Sequence, residues 1–237
     1  MSDAFKAFKY CGLQPHVLES IERSTLYFAS PPALNDPHDC QVTLHHALQR
    51  AIEATSGQRR KLLEQVHSHH SIERMQRDVL TFGVWSYAID LTNALLWSHY
   101  AERHSGICLT YEIPYTFVDT SNVVGISPVF YGDNPLTDWY INELDESLDV
   151  ENACMQSMQR LLTIKSQAWA YEEEARILRE FPGPVAVPRE FLAQICFGLR
   201  TPRDFRRAVE SAAKAYTNVH ITEIRRDRSS DTRLVPL

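Results

Sequence analysis

A chain of 237 residues with 44% hydrophobic content is long enough to bury one sizeable core, and we expect a single domain over 1–237. The formal net charge of −6 argues against broad, nonspecific attraction to nucleic acid, and a membrane-spanning run of about 18 uncharged apolar residues does not occur. Because the first ten residues hold no apolar run long enough for a signal peptide, we expect a cytoplasmic protein without membrane association.

The cysteine and histidine spacings do not predict a metal site. The five cysteines lie far apart and form no CxxC or Cys/His pattern, so we predict reduced thiols in the core. Histidines cluster near residue 45 and at 67–70, but neither cluster has a carboxylate or cysteine at ligand spacing. We interpret both clusters as polar helix surface.

The first part of the chain predicts a strand, a helix and a strand at 5–10, 16–23 and 25–29. Prolines and Asx residues at 30–39 then force a turn. Asn35 and Asp36 suit an Asx turn there, and they equally suit a site, because loops directly after strands often carry function. The residues leave both interpretations open.

The central elements follow from hydrophobic periodicity. In order, we predict a helical hairpin insertion at about 42–78, a buried strand at 79–86, a helix at 93–104 capped by Gly106, strands at 107–111 and 123–131, and a helix at 148–169. Pro128 indicates an edge or a bulge in the second of those strands.

The segment 172–178 reads as extended, which places Glu172, Glu174 and Arg176 on one face. One interpretation is a salt-bridged sheet edge. The other is a functional carboxylate that Arg176 or Lys165 keeps ionised and oriented. We further predict a turn at 182–184, a strand at 191–198, a helix at 202–215, a strand at 219–224 and a flexible tail over about 225–237, whose basic residues leave a partner contact open.

Several of these pieces together resemble a family. They are Lys9-Tyr10, the run 26–39 with Asn35-Asp36-Pro37, the run from Trp97 through His104 to Cys108, residues 129–131, Lys165, and the run from Trp169 to Arg176. Their order and combination resemble the bacterial domain-of-unknown-function family 2971 over about residues 8–200. Leu34 departs from that family, in which an aromatic residue precedes Asn-Asp-Pro, and the region 42–77 lies outside the resemblance.

The order of strand, helix and strand, followed late by Glu-x-Glu, is also remotely similar to the ADP-ribosyltransferases. That likeness implies an α+β fold with a mixed or split antiparallel sheet flanked by helices, and NAD as a substrate. It implies catalysis by Glu174, with Glu172 orienting an unknown protein or nucleic-acid acceptor. The likeness further implies that Tyr10 or Tyr27 stacks on nicotinamide and that Lys9, Asn35 and Asp36 contact ribose or phosphate. The residues expected to support the site are Trp97, His99, Tyr100, His104, Lys165, Trp169, Tyr171 and Arg176.

This likeness also implies a toxin or phage-defence effector with an antitoxin or immunity partner, although a clear Ser-Thr-Ser segment is missing from the sequence. Two other classes stay open. A metal-independent nuclease would use His99, His104, Glu174 and Arg176 to move protons and stabilise phosphate charge. A noncatalytic module would bind a nucleotide or a partner. The enzymatic hypotheses require the Asn35-Asp36 turn and the helix at 93–104 to meet Glu172, Glu174 and Arg176 in one cleft.

Overall fold

A computed structural model describes residues 4–69, 72–119, 122–227 and 234–236. Its strands are β1 (Ala4–Cys11), β2 (Thr25–Phe28), β3 (Gly83–Ala88), β4 (Ile107–Pro114), β5 (Val123–Pro128), β6 (Phe130–Gly132), β7 (Ile164–Ser166), β8 (Glu174–Arg179), β9 (Gly183–Ala186), β10 (Leu192–Phe197), β11 (His220–Arg226) and β12 (Leu234–Pro236). His70 of the second histidine cluster and residues 228–233 and 237 of the predicted tail lie outside the described residues.

The helices are α1 (Pro15–Arg23), α2 (Leu44–Ala54), α3 (Gly57–Ser68), α4 (Ile72–Asp78), α5 (Ala94–His99), α6 (Pro135–Asn142), α7 (Val150–Leu161) and α8 (Arg203–Ala212). Short 3-10 helices span Pro31–Ala33, Val79–Thr81, Tyr115–Asp119, Gln167–Glu172, Arg189–Phe191 and Ala213–Ala215. Among the helices that the structure describes, none is both long and apolar enough to cross a membrane.

The described strands form one large mixed sheet and two small ladders. The eight-stranded sheet has the order β12-β11-β10-β4-β1-β3-β8-β5, and its neighbours are antiparallel except for the parallel pair β10 and β11. Strands β2 and β9 pair with each other, as do β6 and β7. With helices packed around this sheet, the prediction of an α+β fold with a mixed sheet is confirmed.

The junction between β1 and β3 is the weakest in the large sheet. Strand β1 pairs with β4 along its whole length, from Ala4 to Cys11. With β3, in contrast, the described residues share one registered pair, Phe8 opposite Ala88. Further along β3, Val84 exchanges two backbone hydrogen bonds with Ala29, which follows β2. The two halves of the sheet are therefore joined by one registered pair, and β1 and β3 share no other registered pair among the described residues.

The buried hydrophobic residues form three clusters: one on each face of the large sheet and a third among five of the helices. Alternate residues of the strands, such as Leu109 and Ile195, bury one face under α1 and α8. Their neighbours Cys108 and Cys196 point to the opposite face, against α5. Helices α2, α3, α4, α6 and α7 enclose the third cluster. All five cysteines are free thiols, and Cys11 alone among them is partly exposed.

Several predicted elements are confirmed within a residue or two, namely β1, α1, β2, β10 and β11. Strand β4 and helix α8 are also present, but β4 ends three residues later and α8 three residues earlier than predicted. Strand β5 ends at Pro128 and forms an edge of the large sheet, as the proline indicated. The prediction of a two-helix hairpin at 42–78 is wrong, because the described part of that region contains three helices, α2, α3 and α4. Helix α6 was not predicted.

Four boundaries are wrong, three of them because strand pairing distant in sequence overrides local periodicity. The helix predicted at 148–169 ends at Leu161, where the Thr163 hydroxyl binds the carbonyls of Gln159 and Arg160 and the chain enters β7. The strand predicted at 123–131 divides into β5 and β6, since β6 pairs with β7. The strand predicted at 79–86 begins with a 3-10 helix, and the turn predicted at 182–184 becomes β9, paired with β2.

The C-terminal prediction is also corrected. Arg225 and Arg226, which we placed in a flexible tail, belong to β11. They pair with Val235 and Leu234 of β12, so the described end of the chain adds an antiparallel strand to the sheet. Backbone pairing with β11 explains this order better than the charged composition did.

Helix α5 ends at His99, five residues before the predicted end, and Gly106 is not its cap. Left-handed backbone occurs instead at Glu102, Arg103 and His104, with φ of 47°, 56° and 68°. An ideal Cβ on Gly106 would lie 2.0 Å from the backbone carbonyl oxygen of Cys11. Glycine is therefore required because β1 and the start of β4 approach so closely.

We expect Gly106→Ala to lower the free energy of unfolding by about 2 kcal/mol or more, because backbone must move to accept the new methyl group. Equilibrium urea unfolding measures this change. Gly125→Ala is the matched control, since a Cβ there meets nothing within 4 Å among the described atoms. Equal stability of the two variants would show that the close approach at Gly106 imposes no constraint.

Candidate functional site

A cavity of about 770 Å³ opens beside the junction of β1 and β3. Successive residues of both strands line it, from Phe8 to Cys11 and from Val84 to Ala88, together with α1 and the loop after β2. The cavity therefore occupies the place where the two halves of the sheet separate. Of the predicted site residues, those that line it are Lys9, Tyr10, Tyr27, Asn35, Tyr100, Lys165, Glu172 and Glu174.

A buried charge network forms one wall of this cavity, and Arg176 lies behind it. The Arg176 side chain is 0% exposed and binds both carboxylate oxygens of Asp39, at 2.9 and 2.6 Å. Its Nε donates to Glu174 at 2.7 Å, and Nη1 donates to the carbonyl of Leu162 at 2.8 Å. Because a buried guanidinium is costly unless its donors are satisfied, these partners fix β8, the end of α7 and the loop after β2 together.

Lys165 on β7 joins the two predicted carboxylates. Its Nζ lies 2.5 Å from Glu172 Oε2 and 3.1 Å from Glu174 Oε2. It also lies 3.7 Å from Asp39, and 4.9 Å from the centre of the Trp169 ring. Burial would lower the pKa of Lys165, but the neighbouring carboxylates outweigh it and raise that pKa. Lys165 therefore stays protonated and holds three acidic groups.

Hydrogen bonds extend this network to the loop after β2. Tyr100 donates its hydroxyl hydrogen to Glu172 Oε1 and accepts a hydrogen bond of 2.8 Å from Asn35 Nδ2. Tyr100 follows α5, and Asn35 lies in the loop after β2. The predicted convergence of the Asn35 turn, the Trp97 to His104 segment and the carboxylates therefore occurs in one cavity.

Glu172 reaches the network by a route that differs from the prediction. It ends a 3-10 helix and does not belong to the strand with Glu174 and Arg176. Glu173 between them has left-handed backbone, with φ of 45°, which reverses the chain and leaves the Glu173 side chain exposed. The carboxylates of Glu172 and Glu174 thus meet across Lys165 because of a turn, where alternation along a strand was expected.

The two carboxylates have opposite pKa shifts. Burial by itself would raise the pKa of Glu174, but the charge and hydrogen bonds of Arg176, with Lys165, outweigh it and lower that pKa to about 2. For Glu172, burial outweighs the hydrogen bonds from Lys165 and Tyr100, and its pKa is raised. Carboxylates whose environments separate their pKa values in this way suit different roles in catalysis.

Lys9 and Ser86 bridge the gap between the separated strands. Lys9 Nζ donates to the backbone carbonyl of Ser86 on β3 at 2.6 Å, and the Ser86 hydroxyl binds Glu174. Tyr10 lines the cavity but is anchored, since its hydroxyl donates to the Asp90 carbonyl at 2.7 Å and its ring meets Trp97 edge-on. Tyr27, 62% exposed, stands at the cavity wall, and no hydrogen bond or aromatic contact to another described residue anchors its ring.

The remaining predicted residues lie outside the cavity lining. Asp36 forms the Asx turn, where its carboxylate accepts from the backbone N–H of His38 at 2.9 Å. The Trp97 indole donates to the Leu91 carbonyl at 2.7 Å, and the ring of His104 stacks on it. Tyr171 lies between His99 and Trp169, with ring centres 5.9 and 6.1 Å away. These side chains support the segments that carry Tyr100 and Glu172.

The sequence interpretation missed Asp39 and Ser86 as site residues. Asp39 stands four residues after Asn35 in the same proline-rich loop, so its position was a usable signal. Ser86 had none, because it lies inside an apolar strand, and only the pairing of β3 with β8 places it opposite Arg176 and near Glu174. Within the described ranges, no group of three or more His, Cys, Asp or Glu side chains is arranged to hold a metal ion.

Comparison with known proteins supports the family resemblance over part of the chain. Residues 96–177 match a family described as a protein of unknown function (DUF2971). The matched segment, less than half of the chain, contains Tyr100, Lys165, Glu172, Glu174 and Arg176, whereas Lys9, Asn35 and Asp39 precede it. The comparisons with curated proteins and with solved structures found no match.

From the low pKa of Glu174 we predict how the free energy of unfolding changes at acidic pH. Its pKa is lower in the folded protein than its ordinary value of 4.5, so it contributes stability that is complete above that value and is lost as pH falls towards 2. We expect about 3 kcal/mol of wild-type stability to disappear across this window. In Glu174→Gln the corresponding slope should be reduced, as measured by urea unfolding at stepped pH. An unchanged slope would contradict the ionised, buried state of Glu174.

Removing the charge of Asp39 should destabilise the fold, because Arg176 would keep a buried charge with one carboxylate partner fewer. We expect Asp39→Asn to cost about 3 kcal/mol in urea unfolding. Asp36→Asn is the matched control from the same loop, since an asparagine preserves the Asx turn. If the two variants lose equal stability, the Asp39 pair with Arg176 is not what holds this loop.

Proposed function

We propose that the protein is an ADP-ribosyltransferase-like enzyme that breaks the bond between nicotinamide and ribose in NAD and transfers ADP-ribose to a protein or nucleic-acid acceptor. The observation that carries this proposal is the carboxylate of Glu174, kept ionised by Arg176 and Lys165 at the wall of a large cavity. The order β1, α1, β2 with a late pair of glutamates supports it, as does the separation of β1 from β3, because the likeness implies a split sheet.

An ionised, fixed carboxylate suits this reaction. When the glycosidic bond breaks, its electron pair leaves with nicotinamide, which becomes neutral, and the ribose carbon C1 gains oxocarbenium character. A carboxylate that is already ionised and held in place stabilises this positive charge without reorganising. Glu174 meets that requirement because Arg176 and Lys165 bind its oxygens from the protein side.

Glu172 suits the second half of the reaction. An acceptor that attacks C1 must lose a proton, and a carboxylate with a raised pKa is a better base than an ordinary one. Burial raises the pKa of Glu172, while Tyr100 and Lys165 hold its two oxygens. We therefore assign acceptor activation to Glu172 and charge stabilisation to Glu174.

The cavity offers contacts for the rest of the substrate. Lys9 and Asn35 line it and are assigned to phosphate or ribose. For stacking on the nicotinamide ring, Tyr27 is preferred to Tyr10, whose ring and hydroxyl are already engaged. Asp36 is not assigned to the substrate, because its carboxylate forms the turn. A role in bacterial conflict or phage defence, with an antitoxin or immunity partner, rests on the likeness alone.

Of the alternatives, binding without turnover has an observation in its favour. Lys165, Arg176 and Tyr100 already occupy oxygens of both glutamates, so the network is also a complete structural unit. The nuclease hypothesis has less support, because neither His99 nor His104 lines the cavity and Arg176 is fully buried.

Incubation with NAD tests the proposal. Purified protein, alone and with bacterial lysate as a source of acceptor, should release nicotinamide and produce ADP-ribose or a modified acceptor, followed by chromatography and mass spectrometry. We expect Glu174→Gln to reduce the rate by about 10²–10³-fold, because the charge that faces the oxocarbenium ion is lost.

Glu173→Gln is the matched control for this experiment. It makes the same chemical change one residue away, on an exposed side chain, and should leave the rate unchanged. Binding of NAD without nicotinamide release in buffer or lysate would assign the cavity to recognition. Degradation of RNA or DNA without NAD would favour the nuclease instead.

A further inference from the structure

The two lysines of the cavity differ in their partners. Lys165 lies within 4 Å of three carboxylates, as described above. Lys9, in contrast, donates to a backbone carbonyl, and no carboxylate in the described part of the chain lies within ion-pair distance of it. Lys165 therefore serves the network, whereas the Lys9 amine keeps its remaining hydrogen-bonding capacity for the cavity.

Burial of Lys9 opposes its charged form. Leu109 and Tyr111 line the same cavity, while the Trp85 ring, whose centre lies 5.8 Å from Nζ, attracts the charged form and only partly offsets burial. Burial lowers the pKa of Lys9, and the nearby charges of Arg176 and Lys165 lower it further, while Cys11 and Glu174 oppose the shift. A lysine with a lowered pKa in an apolar pocket is a nucleophile towards carbonyl groups.

Ser86 places this amine next to the proposed reaction centre. Its backbone carbonyl accepts from Lys9 Nζ and its hydroxyl binds the Glu174 carboxylate. Lys9, Ser86 and Glu174 thus line the same cavity, with Ser86 in contact with both side chains. A sugar bound in this cavity with C1 towards Glu174 would lie on the side that carries Lys9.

We propose that Lys9 forms an imine with the open-chain aldehyde of the ribose that is left after nicotinamide departs. This inference rests on the proposed function for its source of the aldehyde. When water adds to C1, the product is ADP-ribose, whose ribose ring is a cyclic hemiacetal in equilibrium with the open-chain aldehyde. Lys9 Nζ adds to that carbonyl carbon, the oxygen leaves as water with two protons from the amine, and a C=N bond remains. Hydrolysis reverses the step, so no oxidant or reductant is needed.

Reductive trapping tests this inference. The full-length protein is incubated with ADP-ribose and sodium cyanoborohydride, and in parallel with ribose 5-phosphate, followed by intact mass measurement and peptide mapping. Reduction of the imine adds the mass of the sugar less one oxygen atom. We expect the adduct on Lys9 to form roughly tenfold or more faster than on Lys6, which is exposed on the same strand and paired with Glu112.

Variants make the assignment specific. Lys9→Met and Lys9→Arg should lose the adduct, with circular dichroism to show that both fold, while Lys6→Arg should keep it. Glu174→Gln should also keep it, since free ADP-ribose bypasses glycosidic cleavage. Even labelling of the surface lysines would overturn the inference, and so would no adduct in a protein that releases nicotinamide. Trapping on Lys9 in a protein that leaves NAD intact would support the imine and reject the proposed function separately.

Discussion

The buried guanidinium of Arg176 is the constraint on which the rest of this structure depends. A fixed positive charge on β8, buried beside the edge strand β5, has to be compensated inside the protein, because water cannot reach it. Asp39 supplies one carboxylate from the loop after β2, Glu174 supplies another from the same strand, and the end of α7 supplies a carbonyl. Satisfying one side chain thus brings three distant segments together and orients Glu174 towards the cavity.

The same charge compensation explains why one wall of the cavity both stabilises the fold and presents ionised groups to the cavity. Lys165 balances Glu172 and Glu174, so the wall is held by ion pairs whose loss would expose uncompensated charge. The opposite side of the break in the sheet carries Lys9, whose Nζ binds the Ser86 carbonyl and forms no ion pair among the described residues. A ligand in the cavity would therefore meet an ordered acidic wall on one side and, on the other, an amine held by one backbone carbonyl.

The fold and the site could be predicted from the sequence where interactions between residues close in the chain decide them, and not where contacts between distant segments do. Elements defined by their own periodicity, such as β1, α1 and β10, were found within a residue or two. The end of α7 and the strand β9 were missed, because pairing with β6 and β2 decides them. In the site, the run from Lys165 to Arg176 identified the charged residues, and the loop after β2 identified Asn35. Asp39 and Ser86 were missed, since their roles arise from contacts with Arg176 and Glu174.

The sequence by itself determined which charged groups had to find partners inside the fold, because burying Glu172, Glu174 and Arg176 without partners would cost too much. It also determined the succession of strands and helices that local periodicity controls. Tertiary structure alone decided how the partners meet: the left-handed turn at Glu173 brings Glu172 back to Lys165, and the single pairing point between β1 and β3 opens the cavity. The pairing point depends on backbone contacts between segments far apart in the chain, and the turn depends on the left-handed backbone of one residue. Residue spacing encodes neither.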